Sequence, residues 1–212
     1  MSPSSSRKRA VRIAGCSGGF TDRHLALARM ASDPEVDAVC GDWLAEMTMV
    51  MHGSGKQKNL AIGSKLQDVQ STPLAERAKG AMFAETFLQC FEPSIEHLVK
   101  NGTKMAVNAG ASDTELLAEV VVDMLEKKGA GNLKVSWISG DEVTPQVRNL
   151  IKKGEKFESL QKNMQLEQLG LDPICGQAYL GGLCIAEALR DGADIVICGR
   201  VADAAPIIGV AA

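Results

Sequence analysis

Five places in the sequence set polar or charged residues directly after short apolar runs. They are Gly15-Cys16-Ser17-Gly18-Gly19, Gly41-Asp42, Asn108-Ala109-Gly110, Ser139-Gly140-Asp141-Glu142, and the run 193–198 that ends in Gly199-Arg200-Val201-Ala202-Asp203. Arg200 is the anion anchor by position, because a guanidinium grips a carboxylate or phosphate with two parallel hydrogen bonds. Asp203, three residues on, either shares that site or pairs with Arg200. Gly15, Ser17, Gly18 and Gly19 would let backbone amides approach an anion. Their spacing is neither Gly-x-Gly-x-x-Gly nor a P-loop, so a nucleotide is not specified and a plain tight turn is the competing reading. Gly53-Ser54-Gly55-Lys56 also fails the P-loop spacing, since the upstream glycine position holds Val50.

Proton transfer has its own candidates. Asp42 and Glu46 are four apart, which on a helix opening at residues 41–43 places them on one face near its positive end. There they could supply a general base or, with Asp141 and Asp203, hold a divalent cation. The structural alternative is that Asp42 caps the helix and Glu46 is solvated. Asn108 offers an amide to orient a carbonyl or hydroxyl, or else simply occupies a turn. Asp141-Glu142 is an acid pair on a loop, with an exposed structural role competing with catalysis. Cys16 as a nucleophile with His24 as its base is a weaker reading. His24, His52 and His97 lack zinc-ligand spacing.

These groups need a scaffold that collects them. Apolar runs of about five residues, too short to cross a membrane, read as strands buried on both faces over 11–14, 36–40, 105–107, 133–138 and 193–198. Helices are expected over 22–31, from 41–43 to about 51, over 74–91, and from Pro93 to 100. Another opens on the capping-box pattern Ser112-Asp113-Thr114-Glu115 and closes at Lys127-Lys128-Gly129, and shorter ones start at Thr144-Pro145 and span 179–190. Residues 52–72 lose periodicity and read as a surface excursion, and 152–168 as a lid, protrusion or insertion. Strands alternating with helices predict an α/β fold: a mostly parallel sheet flanked by helices, with Rossmann-like layering and a site along its carboxyl edge. Residues 1–9 read as a disordered tail and 10–212 as one α/β domain. The apolar ending, Pro206 to Ala212, lacks a polar cap. It suggests the front part of a longer architecture, or a homo-oligomer or partner covering that end, against a tail folded on its own core.

Composition narrows the partners. With 212 residues, a net charge of -3 and only 4% aromatic residues, the chain has neither the basic footprint nor the stacking platforms of a nucleic-acid binder. Neither a membrane span nor a secretory leader is expected. The six cysteines contain no Cys-x-x-Cys pair, and three lie in or beside expected strands as small apolar filler. Reduced thiols make the cytoplasm the default location.

Taken in order, Val11-Arg12-Ile13-Ala14-Gly15-Cys16-Ser17-Gly18-Gly19-Phe20 with Asp22-Arg23, then Asp42-Trp43-Leu44-Ala45-Glu46-Met47-Thr48, Asn108-Ala109-Gly110-Ala111, Ser139-Gly140-Asp141-Glu142, and Tyr179-Leu180-Gly181-Gly182 running to Gly199-Arg200-Val201-Ala202-Asp203, the sequence resembles the acyclic terpene utilisation family, long catalogued as a domain of unknown function. The likeness covers nearly the whole chain and suggests its amino-terminal portion; residues 53–74 depart from the family pattern. The resemblance implies a pathway rather than a reaction: bacterial relatives are associated with citronellol and geraniol breakdown through acyl-CoA intermediates, and fungal relatives with secondary metabolism. It carries no cofactor and no catalytic residue over to this chain. The expectation is an enzyme acting on an isoprenoid or branched acyl substrate, such as a CoA thioester. Asp42, Asn108 and Asp141 would do the chemistry, and Gly15, Ser17, Gly18, Gly19, Arg200 and Asp203 would bind the substrate. A non-catalytic subunit or scaffold is the alternative, and an NAD(P)-dependent oxidoreductase a weaker one.

Overall fold

The structure, a computed structural model, describes residues 9–20, 22–61, 72–160, 162–170 and 172–212. Among these residues there are five strands, β1 (Ile13–Gly18), β2 (Ala38–Asp42), β3 (Lys104–Val107), β4 (Val135–Ile138) and β5 (Ile195–Cys198). They form one sheet in the order β1-β2-β3-β5-β4, every pair parallel. The α/β expectation holds. The strand that follows the β3–helix unit does not pair with β3, however, because β5 inserts between them.

Nine α-helices accompany the sheet among the described residues: α1 (Ala26–Ser32), α2 (Glu46–Ala61), α3 (Leu74–Ala78), α4 (Glu85–Phe91), α5 (Ile95–Asn101), α6 (Thr114–Lys127), α7 (Thr144–Lys152), α8 (Leu183–Arg190) and α9 (Ala205–Ala211). Successive strand residues point to opposite faces, which gives the sheet two cores. Val39, Met105, Val107, Ile195 and Ile197 face Leu27, Phe87, Phe91, Leu98, Leu117 and Leu125 from α1, α4, α5 and α6. Phe87 makes an edge contact with Trp43 at 5.2 Å and stacks on Phe91 at 5.5 Å. Cys40, Ala106, Val196 and Cys198 face Ile185 and Ala205 from α8 and α9. Burying each large apolar side chain stabilises the fold by about 2 kcal/mol.

Several expectations shift. Asp42 ends β2, and the helix opens only at Glu46, so the two acids do not share a helical face. Residues 52–61 continue α2 rather than forming a surface excursion; residues 62–71 of that stretch, and most of the 1–9 tail, lie outside the described residues. The Gly and Ser content that reads as loop is instead close packing. A Cβ at Gly53 would sit 2.6 Å from Cys175 Cβ, and one at Gly55 would sit 2.5 Å from Met82 Sδ. Lys56 reaches Asp113 at 2.8 Å and the Ser112 carbonyl, which ties α2 to the start of α6. Asp113 therefore spends its carboxylate on Lys56 and on the Met82 amide, 2.7 Å away, and the expected capping box is not formed.

The 74–91 stretch breaks into α3 and α4, with residues 79–84 between them. Residues 179–182 are not helical: Leu180 bridges to Val201 in parallel, and α8 starts at Leu183. In the polar 152–168 stretch, Glu158 and Gln165 form an antiparallel bridge. The apolar ending forms α9, which buries Ala205, Pro206 and Gly209 but leaves Ile207 and Ile208 exposed, so it is folded on its own core only in part. No helix among the described residues is long and apolar enough to cross a membrane.

Candidate functional site

The exit of β3 turns into α6 on one face of the sheet, and the exit of β5 turns into α9 on the other. Adjacent parallel strands whose connections diverge in this way leave a crevice at their carboxyl ends, the usual ligand position in open α/β sheets. Asn108 and Arg200 stand on its two sides, and the Gly110 amide donates to the Cys198 carbonyl at 2.9 Å across it.

Asn108 is fully buried and its amide has two partners. Its Oδ1 accepts from the Trp43 backbone N–H at 2.7 Å, and its Nδ2 donates to Asp42 Oδ1 at 2.5 Å. Asp42 Oδ1 also accepts the Leu44 N–H at 3.1 Å, a turn that leads the chain off the strand before α2 begins. Asp42 Oδ2 carries no hydrogen bond among the described residues. The structure thus brings Asp42 and Asn108 together as a fixed pair with one carboxylate oxygen free.

Arg200 is 2% exposed. Its Nη1 donates to the Leu44 carbonyl at 2.9 Å and its Nη2 to Asp203 Oδ1 at 3.0 Å, with Glu46 Oε1 at 3.5 Å. The Tyr179 ring covers the guanidinium at 4.3 Å, and its hydroxyl donates to Glu46. That hydrogen bond, together with the Arg200 charge, holds the Glu46 carboxyl below the usual value. Arg200 Nε is buried without a hydrogen-bond partner among the described residues. The two carboxylates over Nη2 are about three-quarters exposed, 74% for Glu46 and 76% for Asp203. The Arg200–Asp203 pairing weighed from sequence is present, and Glu46, the first residue of α2, completes it.

Asp141 is buried rather than exposed, while Glu142 is at the surface. Its Oδ2 accepts the Arg200 backbone N–H at 2.7 Å. A Cβ at residue 199 would overlap the Asp141 carboxylate, so Gly199 is what lets that side chain reach the β5 exit. Burial pushes the Asp141 carboxyl up, in part offset by the Arg200 amide. Asp141 therefore fixes the backbone that presents Arg200.

At the β1 exit, a register shift between Gly15 and Ser17 bulges the strand. Ser17 Oγ donates to Asp22 Oδ1 at 2.6 Å, and the Gly18 amide donates to Asp22 Oδ2 at 3.1 Å. Burial raises the Asp22 carboxyl, but the hydrogen bonds from Ser17 and Gly18 outweigh it and hold it below its ordinary value. Asp22 fills, from within the chain, the position an anion would take on this loop. Asp22 and Tyr179 both lie in stretches that carry the family resemblance, but their spacing assigned neither a role, and that of Tyr179 depends on the non-helical 179–182 segment. The loop also touches the β2 exit, where Ser17 Oγ lies 3.3 Å from the Asp42 carbonyl.

The nucleophile reading of Cys16 is corrected. Cys16 is 1% exposed within the core, burial pushes its thiol up to about 12, and His24 is at the surface. Among the described residues no cluster of three His, Cys, Asp or Glu side chains is arranged to hold a metal ion, so Asp42, Glu46, Asp141 and Asp203 do not form a cation site there.

The match to known families agrees in extent with this architecture. The family model for acyclic terpene utilisation protein AtuA matches residues 11–212, from the strand before the glycine loop to the end of α9. The chain belongs to the acyclic terpene utilisation AtuA family. No curated protein and no solved structure matches it. Within this AtuA family chain, two of the clefts among the described residues lie outside the crevice. One of 370 Å³ lies on the flank of α6 and β4 beside Trp137; the other, of 270 Å³, lies between α2 and residues 81–86.

Proposed function

We propose that this chain is an enzyme domain that binds an isoprenoid or branched acyl substrate through an anionic group, a free carboxylate or the phosphates of a CoA thioester, at the carboxyl edge of the sheet. The observation that supports it is the state of Arg200. A nearly inaccessible guanidinium keeps one N–H without a partner among the described residues, and its outer nitrogen is covered by two exposed carboxylates, Glu46 and Asp203. An incoming anion replaces these surface acids at low cost, because neither is held by the core, and gains charge-assisted hydrogen bonds in a site shielded from water. Gly15, Ser17, Gly18 and Gly19 border the same edge. Asp42, oriented by Asn108, accepts or returns the substrate proton through its free Oδ2. Asp141 acts as a positioning residue for Arg200.

Mass spectrometry of the protein incubated with branched isoprenoid acyl-CoA thioesters tests the reading. Turnover is expected, and Asp42→Asn abolishes it. Glu46→Ala, a surface change, is expected to tighten binding of the thioester severalfold by removing the internal competitor. Absence of binding and turnover, with Arg200→Ala indistinguishable from the parent protein, overturns the proposal.

A second reading, a non-catalytic subunit, is supported by Leu183, Ile207 and Ile208, which are exposed on the packed pair α8 and α9. Sedimentation decides for it if the chain self-associates and Ile208→Glu dissociates it.

A further inference from the structure

We infer that the outer side of β4, with the 370 Å³ groove between it and α6, is a docking edge for an extended segment of another protein, one that alternates arginine or lysine with aliphatic residues and joins the sheet as an added strand. β4 is the last strand in the sheet and pairs only with β5 among the described residues. The Lys134 carbonyl accepts the Ile195 amide at 3.1 Å, and a parallel ladder bonds alternate residues to each neighbour. Val135 and Trp137 therefore turn their backbone N–H and C=O groups away from β5. The two flanking strands of the sheet are finished differently. β1 is bulged between Gly15 and Ser17, one of the devices that keep an edge from pairing. β4 keeps an unbroken register and contains no proline and no charged residue.

Val135 and Trp137 share one face of the strand, where they meet the flank of α6 and form the groove. Trp137 and Val122 are exposed there, and Glu119, Asp123 and Glu126 line it with them. Glu119 pairs with Arg77, and Asp123 with Lys127 at 2.6 Å, whereas Glu126 has no ion pair among the described residues. Charge decides the occupant. A second copy laid edge to edge would set these three carboxylates against its own, and like charges brought opposite one another are destabilising. A basic strand meets them with the opposite sign. Its long stems lie along Trp137 and Val122 while their charged heads reach the carboxylates, and a guanidinium over the indole gains a cation–π contact. At about 30 Å³ for each water-sized group, 370 Å³ holds about twelve, the size of two arginine side chains. Main-chain bonds to Val135 and Trp137 would supply affinity, and the alternate side chains selectivity.

The test uses a capped synthetic peptide that alternates arginine with valine, its counterpart with glutamate for arginine, and its fully N-methylated form. Labelling with 5-fluorotryptophan gives two reporters, Trp137 at the groove and Trp43 in the core. The arginine peptide is expected to shift the Trp137 fluorine signal and leave that of Trp43 in place. It should also slow hydrogen exchange at the Val135 and Trp137 amides. The N-methylated form, which cannot donate to the edge, and the glutamate form should do neither. Glu126→Lys, a surface change, should weaken the arginine peptide about fivefold, the size of one half-exposed ion pair. An unmoved Trp137 signal at saturation, unchanged exchange at Val135 and Trp137, or equal binding of the glutamate peptide overturns the inference. So does a dimer of the chain alone that Trp137→Lys disperses and Ile208→Glu does not, since a second copy would then hold the edge.

Discussion

The sheet has polar residues at both of its edges, and the two edges use them in opposite ways. At the amino edge, Arg9 pairs with Asp37 at 2.6 Å, Arg12 with Glu35, and Lys104 with Asp194 at 2.7 Å, and all of these side chains reach solvent. At the carboxyl edge, Asn108, Asp141 and Arg200 are sealed from water and bond largely to backbone groups of Trp43, Leu44 and Arg200. Surface pairs gain little over hydration and are screened by salt. Buried polar groups leave a partner stranded when they are removed. The amino edge is a set of staples, while the carboxyl edge is a rigid frame around chemically able groups.

Substitutions at four positions probe that contrast. Arg200→Ala is expected to be the most damaging, with a loss of about 3 kcal/mol in urea unfolding, because it strips the Leu44 carbonyl of its donor and leaves a void under Tyr179. Arg200→Lys should fall between it and the parent protein. Asn108→Ala follows at about 2 kcal/mol, since the Trp43 amide and one Asp42 oxygen lose their partner. Should either variant unfold at the parent's urea midpoint, the buried frame does not exist as described.

Asp141→Asn has an effect that depends on pH. A carboxyl held above its ordinary value when folded keeps its proton in the native state after the unfolded chain has lost it. Stability therefore falls as pH rises from the ordinary carboxylate range to the raised folded value. The melting temperature of Asp141→Asn should lack that decline, and a profile parallel to the parent's from pH 3 to pH 7 would count against it. Asp37→Asn is the mildest. The hydrogen bond and charge of Arg9 hold the Asp37 carboxyl at about 2, so its contribution is present above the ordinary carboxylate range and is lost as pH falls toward 2. The variant should have a flatter acid limb than the parent. Salt at about 0.5 M should erase its small deficit at neutral pH while leaving those at Arg200 and Asn108 in place.

The strands were legible because each is a brief apolar run that ends in small residues, and their buried alternation needs no partner information. The strand order was not, since the insertion of β5 beside β3 depends on which face each helix covers. The carboxyl-edge groups could be read for the same reason as the strands: Asp42, Asn108, Asp141 and Arg200 all follow apolar runs. Their partners could not. Glu46 and Tyr179 reach Arg200 only because the chain leaves β2 through a turn and because 179–182 is not helical. Asp22 reaches Ser17 through a loop whose composition says nothing about it. α2 was misread beyond residue 51 because its glycines match loop statistics, whereas contact with Cys175 and Met82 decides their place.

The core cysteines have a practical consequence. Cys16, Cys40 and Cys198 lie in β1, β2 and β5, each sealed and with its thiol pushed up by burial to about 12, while Cys184 on α8 is exposed. A thiol reagent added to the native protein should label Cys184 promptly and the three strand cysteines only when the sheet opens. The wild-type chain therefore carries both a handle for attaching a spectroscopic reporter and an internal clock for the opening of its sheet.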